Sequence, residues 1–218
     1  ILGAIMKLSF VFAFTLYIGS ILLADTRIDF FSAVNRGDIK SVKEYIEMGI
    51  NINLQDERKR TPLMIAAYKN DVKMVKLLVD NDANVNIQDE KLNSPFLYAS
   101  SRGMLNIIKL IYKKADTRNV LNIFGSNALI LACEKEHLGT VKFLLENTDI
   151  DVNHINHLSY TALLEVAIVG NDSLNYAEIV KILLEHGADK TIKDKNGHDA
   201  LYYAKARNLK NIEKLLAE

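Results

Sequence analysis

One seven-residue phrase returns down this chain at a near-constant interval. Thr61-Pro62-Leu63-Met64-Ile65-Ala66-Ala67 recurs 33 residues later as Ser94-Pro95-Phe96-Leu97-Tyr98-Ala99-Ser100. It returns as Asn127-Ala128-Leu129-Ile130-Leu131-Ala132-Cys133 and, 34 residues on, as Thr161-Ala162-Leu163-Leu164-Glu165-Val166-Ala167. A second helical phrase trails each copy: Val75-Lys76-Leu77-Leu78, Ile108-Lys109-Leu110-Ile111, Val141-Lys142-Phe143-Leu144 and Val180-Lys181-Ile182-Leu183. A partial copy at the front keeps Ala33, Gly37, Asp38, Val42, Ile46 and Gly49, and another runs from Asn196 to Leu216. Self-similarity at this period means small helical units that cannot bury an apolar face alone and must stack on their neighbours. A single central core is excluded, and atypical end copies are what such an array requires.

The chemistry of one unit follows from its residues. Thr61 can cap a helix whose first turn accepts Pro62, because the N–H that proline lacks is unpaired there anyway. Ala66 and Ala67 let that helix lie close to others, while Val72, Val75, Leu77 and Leu78 follow helical spacing on a second, antiparallel helix. Gly49 and Gly187 suit a left-handed helix stop. Asp56, Asp89 and Asp194 can accept hydrogen bonds from the turn that leads into the next unit. Asp172-Ser173-Leu174-Asn175-Tyr176 interrupts the fifth unit and reads as an extra loop between its two helices.

These phrases resemble the ankyrin repeat, whose motif Thr-Pro-Leu-His-x-Ala-Ala is followed by a second helix and a Gly-Ala-Asp-Val-Asn turn. Ala83-Asn84-Val85-Asn86 and His186-Gly187-Ala188-Asp189 look like that turn. The motif's histidine is replaced by Met64, Leu97, Ile130, Leu164 and Tyr202, so apolar packing is expected where the family builds a polar network. The resemblance, over about residues 26 to 218, implies an all-α fold, and with the N-terminal segment read below the chain is taken as an exported, bacterial-type member. The implied fold is a right-twisted solenoid of about six helix-turn-helix units, with β-turn fingers projecting from one edge. The expected units are roughly 26–57, 58–90, 91–123, 124–157, 158–195 and 196–218 within a domain spanning 25–218.

The family resemblance further implies a surface for binding another protein, made of finger tips and the inner-helix face. Carried over unit by unit, the tips are Glu57, Arg58 and Arg60; Glu90, Lys91 and Asn93; Ile123, Phe124 and Ser126; and His157, Leu158 and Tyr160. The inner face adds Tyr68 and Lys69, Ser101 and Arg102, Glu134 and Lys135, and Ile168 and Val169. Early units thus present charge, with Arg58, Arg60, Lys69 and Arg102 suited to steering. The fourth and fifth present apolar side chains that suit anchors ringed by polar contacts. The competing reading is that Phe124 and Tyr160 fold back and staple adjacent turns.

Lys+Arg and Asp+Glu both number 27, so no net charge draws the protein to nucleic acid. The single cysteine, Cys133, occupies an alanine-sized slot and reads as a buried filler. His154 and His157 have a metal-like spacing but sit in a turn without enough further ligands for zinc. No phosphate loop, nucleophile elbow or acid pair is present, so neither a catalytic activity nor a cofactor is expected.

Lys7 precedes 17 uncharged residues, Leu8 to Ala24, ending in a small residue just before Asp25. This has the form of a secretory signal, and a periplasmic or secreted protein is expected. Residues 8–24 would span roughly 26 Å as a helix, so an uncleaved membrane anchor, with the domain on the non-cytoplasmic side, is the alternative. An adaptor, an inhibitor or a host-directed effector would all carry these features.

Overall fold

The computed structural model describes residues 26–218; the export signal or anchor expected over 1–24 lies outside the described residues. Among the described residues every regular element is helical. Two bodies are described in turn, residues 26–51 and 52–218.

In the first body, α1 (26–36) turns into α2 (Ile39–Glu47) through Gly37, at φ +72°. Asp38 caps α2 by accepting from Ser41 N–H and Oγ–H at 3.1 and 2.7 Å. The buried Phe30 ring meets Tyr45 edge-on, with centroids 5.8 Å apart. Gly49, at φ +81°, provides the left-handed stop expected of it.

The second body holds five helix pairs. They are α3 (Pro62–Tyr68) with α4 (Val72–Asp80), α5 (Pro95–Ser101) with α6 (Leu105–Ile111), α7 (Ala128–Glu134) with α8 (Leu138–Asn147), α9 (Ala162–Val169) with α10 (Leu174–Glu185), and α11 (Ala200–Ala206) with α12 (Lys210–Ala217). The first helix of each pair packs on its counterparts in chain order, α3 on α5, α5 on α7, α7 on α9 and α9 on α11. These five inner helices form one row. The outer helices pack likewise, α4 on α6, α8 on α10 and α10 on α12, and Tyr112 and Phe143 rings bridge the α6 and α8 segments at 5.1 Å.

Each inner helix starts on the same device. Thr61, Ser94, Asn127, Thr161 and Asp199 accept from the N–H three residues on, at 3.1, 3.2, 3.0, 3.2 and 2.8 Å. Each such cap is worth about 1 kcal/mol. Met64, Leu97, Ile130 and Leu164 are all buried, so apolar packing does fill the slot of the missing histidine. The last copy differs. Tyr202 is 48% exposed and stacks on the His198 ring at 3.7 Å, because its helix packs on α9 on one side only.

Small residues hold the inner row together. Ala67, Ser100, Cys133 and Ala167 are each sealed from solvent. Ser100 is the exception in chemistry, its Oγ buried with no hydrogen-bond partner. Burial, with a smaller contribution from the Glu165 charge, pushes the Cys133 thiol far above its ordinary range.

Of the extra residues of the fifth unit, Asp172 and Ser173 lie in the connection after α9, while the other three are helical. Ser173 caps α10 and Leu174 to Tyr176 form its first turn, which makes α10 the longest helix of this body at 12 residues. Tyr176 is buried and donates to Glu134 O at 3.1 Å. Ser173 Oγ–H reaches Glu136, and the Asp172 carboxylate and carbonyl accept from Asn211 at 2.8 and 3.1 Å. An extra loop over all five residues was expected because sequence register shows an insertion but not where the next helix starts; the capping serine sets that start.

Candidate functional site: fingers and inner-helix face

The fingers repeat one hydrogen-bond pattern. Asp56, Asp89, Asn122, Asn156 and Asp194 each accept on Oδ1 from the backbone N–H two and four residues later, at 2.8 to 3.0 Å. Each also donates its own N–H to the carbonyl four residues on. The residue after the tip then takes a left-handed conformation, at Lys59, Leu92, Gly125, Ser159 and Gly197. Asp56, Asp89 and Asp194 thus serve as expected; Asn122 and Asn156 share the role because an amide oxygen accepts as a carboxylate does.

Neighbouring fingers are tied by backbone. Glu90 N–H donates to Arg58 O at 3.1 Å and His157 N–H to Phe124 O at 2.8 Å. Gln55 and Gln88 amides bridge to the Gln88 and Leu121 carbonyls at 3.2 and 2.7 Å. Gly125, at φ +70°, lies under the His157 ring so closely that a Cβ there would sit 2.6 Å from it. His154 Nε2 meets the Gly125 carbonyl at 2.6 Å. Both histidines of the metal-like pair are therefore placed against the preceding finger.

The third and fourth fingers carry the apolar tips. Ile123 and Phe124 are 60% and 55% exposed, so the Phe124 ring does not fold into the stack. Leu158 and Val169 are exposed, while Tyr160 and Ile168 are half-buried. Ser126, expected at a tip, is instead buried and accepts from Asn156 Nδ2 at 3.1 Å, because the turn ends before it.

Among the basic positions, Arg58, Lys69 and Lys91 are exposed. Arg60 is held by Asp56 at 2.6 Å, and the exposed Arg102 guanidinium lies 5.6 Å from the Tyr98 ring centroid. Tyr68 is committed inward: its hydroxyl donates to Asp89 at 2.5 Å, and burial together with that carboxylate pushes the hydroxyl well above its ordinary value. Lys135 pairs with Glu134 at 2.6 Å.

A side chain that sequence reasoning passed over sits in the middle of this face. The fourth position of the inner helices runs Ile65, Tyr98, Leu131, Glu165 and Tyr203. Glu165 is 8% exposed. Burial, then the like charge of Glu134, raises its carboxyl to about 7, against a smaller opposing pull from Lys135. The signal was available, since one carboxylate stands in a slot otherwise filled by apolar or aromatic side chains. Among the described residues no group of His, Cys, Asp or Glu converges to hold a metal ion.

Comparison with known proteins agrees with this geometry. The family described as ankyrin repeats in three copies matches residues 30–120 and 96–194. The ankyrin repeat protein YahD of Escherichia coli strain K12 is 35% identical over 86% of this chain and 94% of its own length. A crystal structure of an ankyrin repeat domain from Acinetobacter baumannii superposes with a TM-score of 0.84 at 36% identity, covering 88% of this chain and 97% of that one. A chain in the complex of a predatory endopeptidase from Bdellovibrio bacteriovorus with an immunity protein superposes with a TM-score of 0.71 at 26% identity, covering 86% of this chain and 96% of its own.

Proposed function

The chain belongs to the ankyrin repeat family, and from that premise we propose that it is a protein-binding scaffold gripping its partner with the third and fourth fingers and the adjoining inner helices. The observation that carries this reading is the exposure of Ile123 and Phe124 on a finger otherwise closed by its own hydrogen bonds. A rigid turn presenting two solvated apolar side chains loses little entropy on binding and gains the energy of desolvating them. Leu158 and Val169 extend the apolar patch; Arg58, Lys69, Lys91 and Arg102 supply the charge that orients an approaching partner.

The likeness to a chain in an endopeptidase–immunity complex supports a finer version, in which the partner is an enzyme that the scaffold restrains. The proposed site of action is the periplasm or the exterior of a bacterial cell, on the strength of the charge-free stretch 8–24 behind Lys7. The same stretch, left uncut, would tether the scaffold to a membrane; N-terminal sequencing of the mature protein separates the two.

The partner surface is tested by Ile123→Ser with Phe124→Ser. Capture of partners from the native compartment is expected to fall at least tenfold, with the melting temperature unchanged. Unaltered capture would place the grip elsewhere.

A further inference from the structure

The inner helices end on a repeated cation: Lys69, Arg102, Lys135 and Arg207 occupy equivalent positions in four of the five pairs. In the fifth, that of α9, the position is Val169. The one inner helix without a cation is also the one that buries a carboxylate, four residues earlier at Glu165. Three of these four cations act within their own unit or the preceding one, Lys135 on Glu134 at 2.6 Å among them. Arg102 covers the Tyr98 ring, and Arg207 Nη1 donates to the Ala167 carbonyl at 3.0 Å.

We infer that Glu165 is the floor of a socket for a cationic side chain, lysine or arginine, presented by a protein partner; this rests on the scaffold reading above. Neither carboxylate oxygen of Glu165 has a hydrogen-bond or ion-pair partner among the described residues, although the residue is more than nine-tenths buried. Burying a charge without a partner is unfavourable enough that such a group either takes up a proton or awaits a counter-ion. The oxygens are not sealed from solvent, so a counter-ion can arrive from outside.

The neighbours leave the place open. On α7, Glu134 repels the carboxylate, and Lys135 is held by Glu134 at 2.6 Å, which leaves two carboxylates sharing one cation. Cys133, also on α7, is neutral and buried. On α10, the Tyr176 hydroxyl donates to Glu134 O. On α11, the Tyr203 hydroxyl is engaged by Asp194 at 2.5 Å and Arg207 by Ala167. Among the described residues Lys135 is thus the one cation that acts on Glu165, and Glu134 already holds it. Ile168 and Val169 beside it give an apolar wall suited to the methylene stem of a long cationic side chain.

The test uses n-butylammonium as a lysine surrogate and n-butanol as its neutral counterpart, with the Glu165 carboxyl carbon and the α9 amides followed by NMR. With n-butylammonium the titration midpoint of Glu165 is expected to fall by about one unit at saturation. The α9 amides should shift with it, and the shifts should vanish in Glu165→Gln. Val169→Lys, an i,i+4 partner on the exposed face, should lower the midpoint without probe and abolish the response. An unmoved midpoint, with equal amide shifts from both probes, overturns the socket while leaving an apolar binding face intact. A probe response retained in Glu165→Gln overturns it as well. Loss of partner capture in the Ile123, Phe124 double variant is independent of these outcomes, so the two readings fail separately.

Discussion

Replacing Glu165 by glutamine should stabilise the protein by an amount that grows as pH rises from about 4.5 to about 7 and is constant above. The carboxyl rises from an ordinary 4.5 in the open chain to about 7 in the folded one. A shift of that size corresponds to about 3 kcal/mol at full effect. Because the oxygens still touch solvent, screening reduces the expected figure to about 1–2 kcal/mol. The sign follows from proton linkage. Between these two values the folded state holds more protons than the unfolded one, so stability falls as pH rises. The contribution is fully present below pH 4.5 and is lost as pH climbs through about 7. Glutamine keeps the shape and removes the charge. Urea denaturation followed by far-UV circular dichroism, on both proteins at about pH 5 and about pH 8, isolates the residue because all other titrations cancel in the difference. The variant should match the natural protein near pH 5 and exceed it near pH 8, raising the melting temperature there by about 3–6 °C. A gap of equal size at both pH values would refute the reasoning, since it would locate the effect in packing rather than in charge.

Other outcomes can be checked in the same way. Ser100→Ala removes a buried hydroxyl that has no partner and should stabilise by about 1 kcal/mol, read as a higher urea midpoint; a lower midpoint would show that the hydroxyl is satisfied in solution. Gly125→Ala imposes a Cβ on a left-handed backbone beneath His157 and should destabilise by about 2 kcal/mol in the same assay, with little loss expected if the finger is free to open. The Cys133 thiol should stay unreactive to a disulfide reagent until the protein unfolds, with modification tracking denaturant; rapid labelling of the native protein would contradict its burial. Asn86→Ala removes bonds to Lys114 O and from Asp116 N at 2.9 and 2.8 Å and should cost about 1–2 kcal/mol, again by urea midpoint.

The repeat architecture is legible in the residues alone, because the information is local and repeated. Thr61 before Pro62 marks a helix start, Ala66 with Ala67 marks a close helix contact, and Asp56 marks a finger, each legible without knowing what lies across from it. The apolar residues of the third and fourth fingers were legible for the same reason, but whether Phe124 faces solvent or folds back was left open until its exposure was seen. The remaining features depend on side chains from different units meeting. Ser126 looked like a tip residue until Asn156 of the next finger was seen to cover it. Asp172 to Tyr176 looked like an extra loop until Ser173 was seen to start α10 there and Asn211 to bond Asp172. Glu165 carries a charge that a single helix could have turned to water. Val169 in place of a cation was readable in the repeat register, but the burial of Glu165 and its lack of a partner emerge only when α7, α9 and α11 lie side by side, because solvation is a property of the assembled surface and not of any one segment.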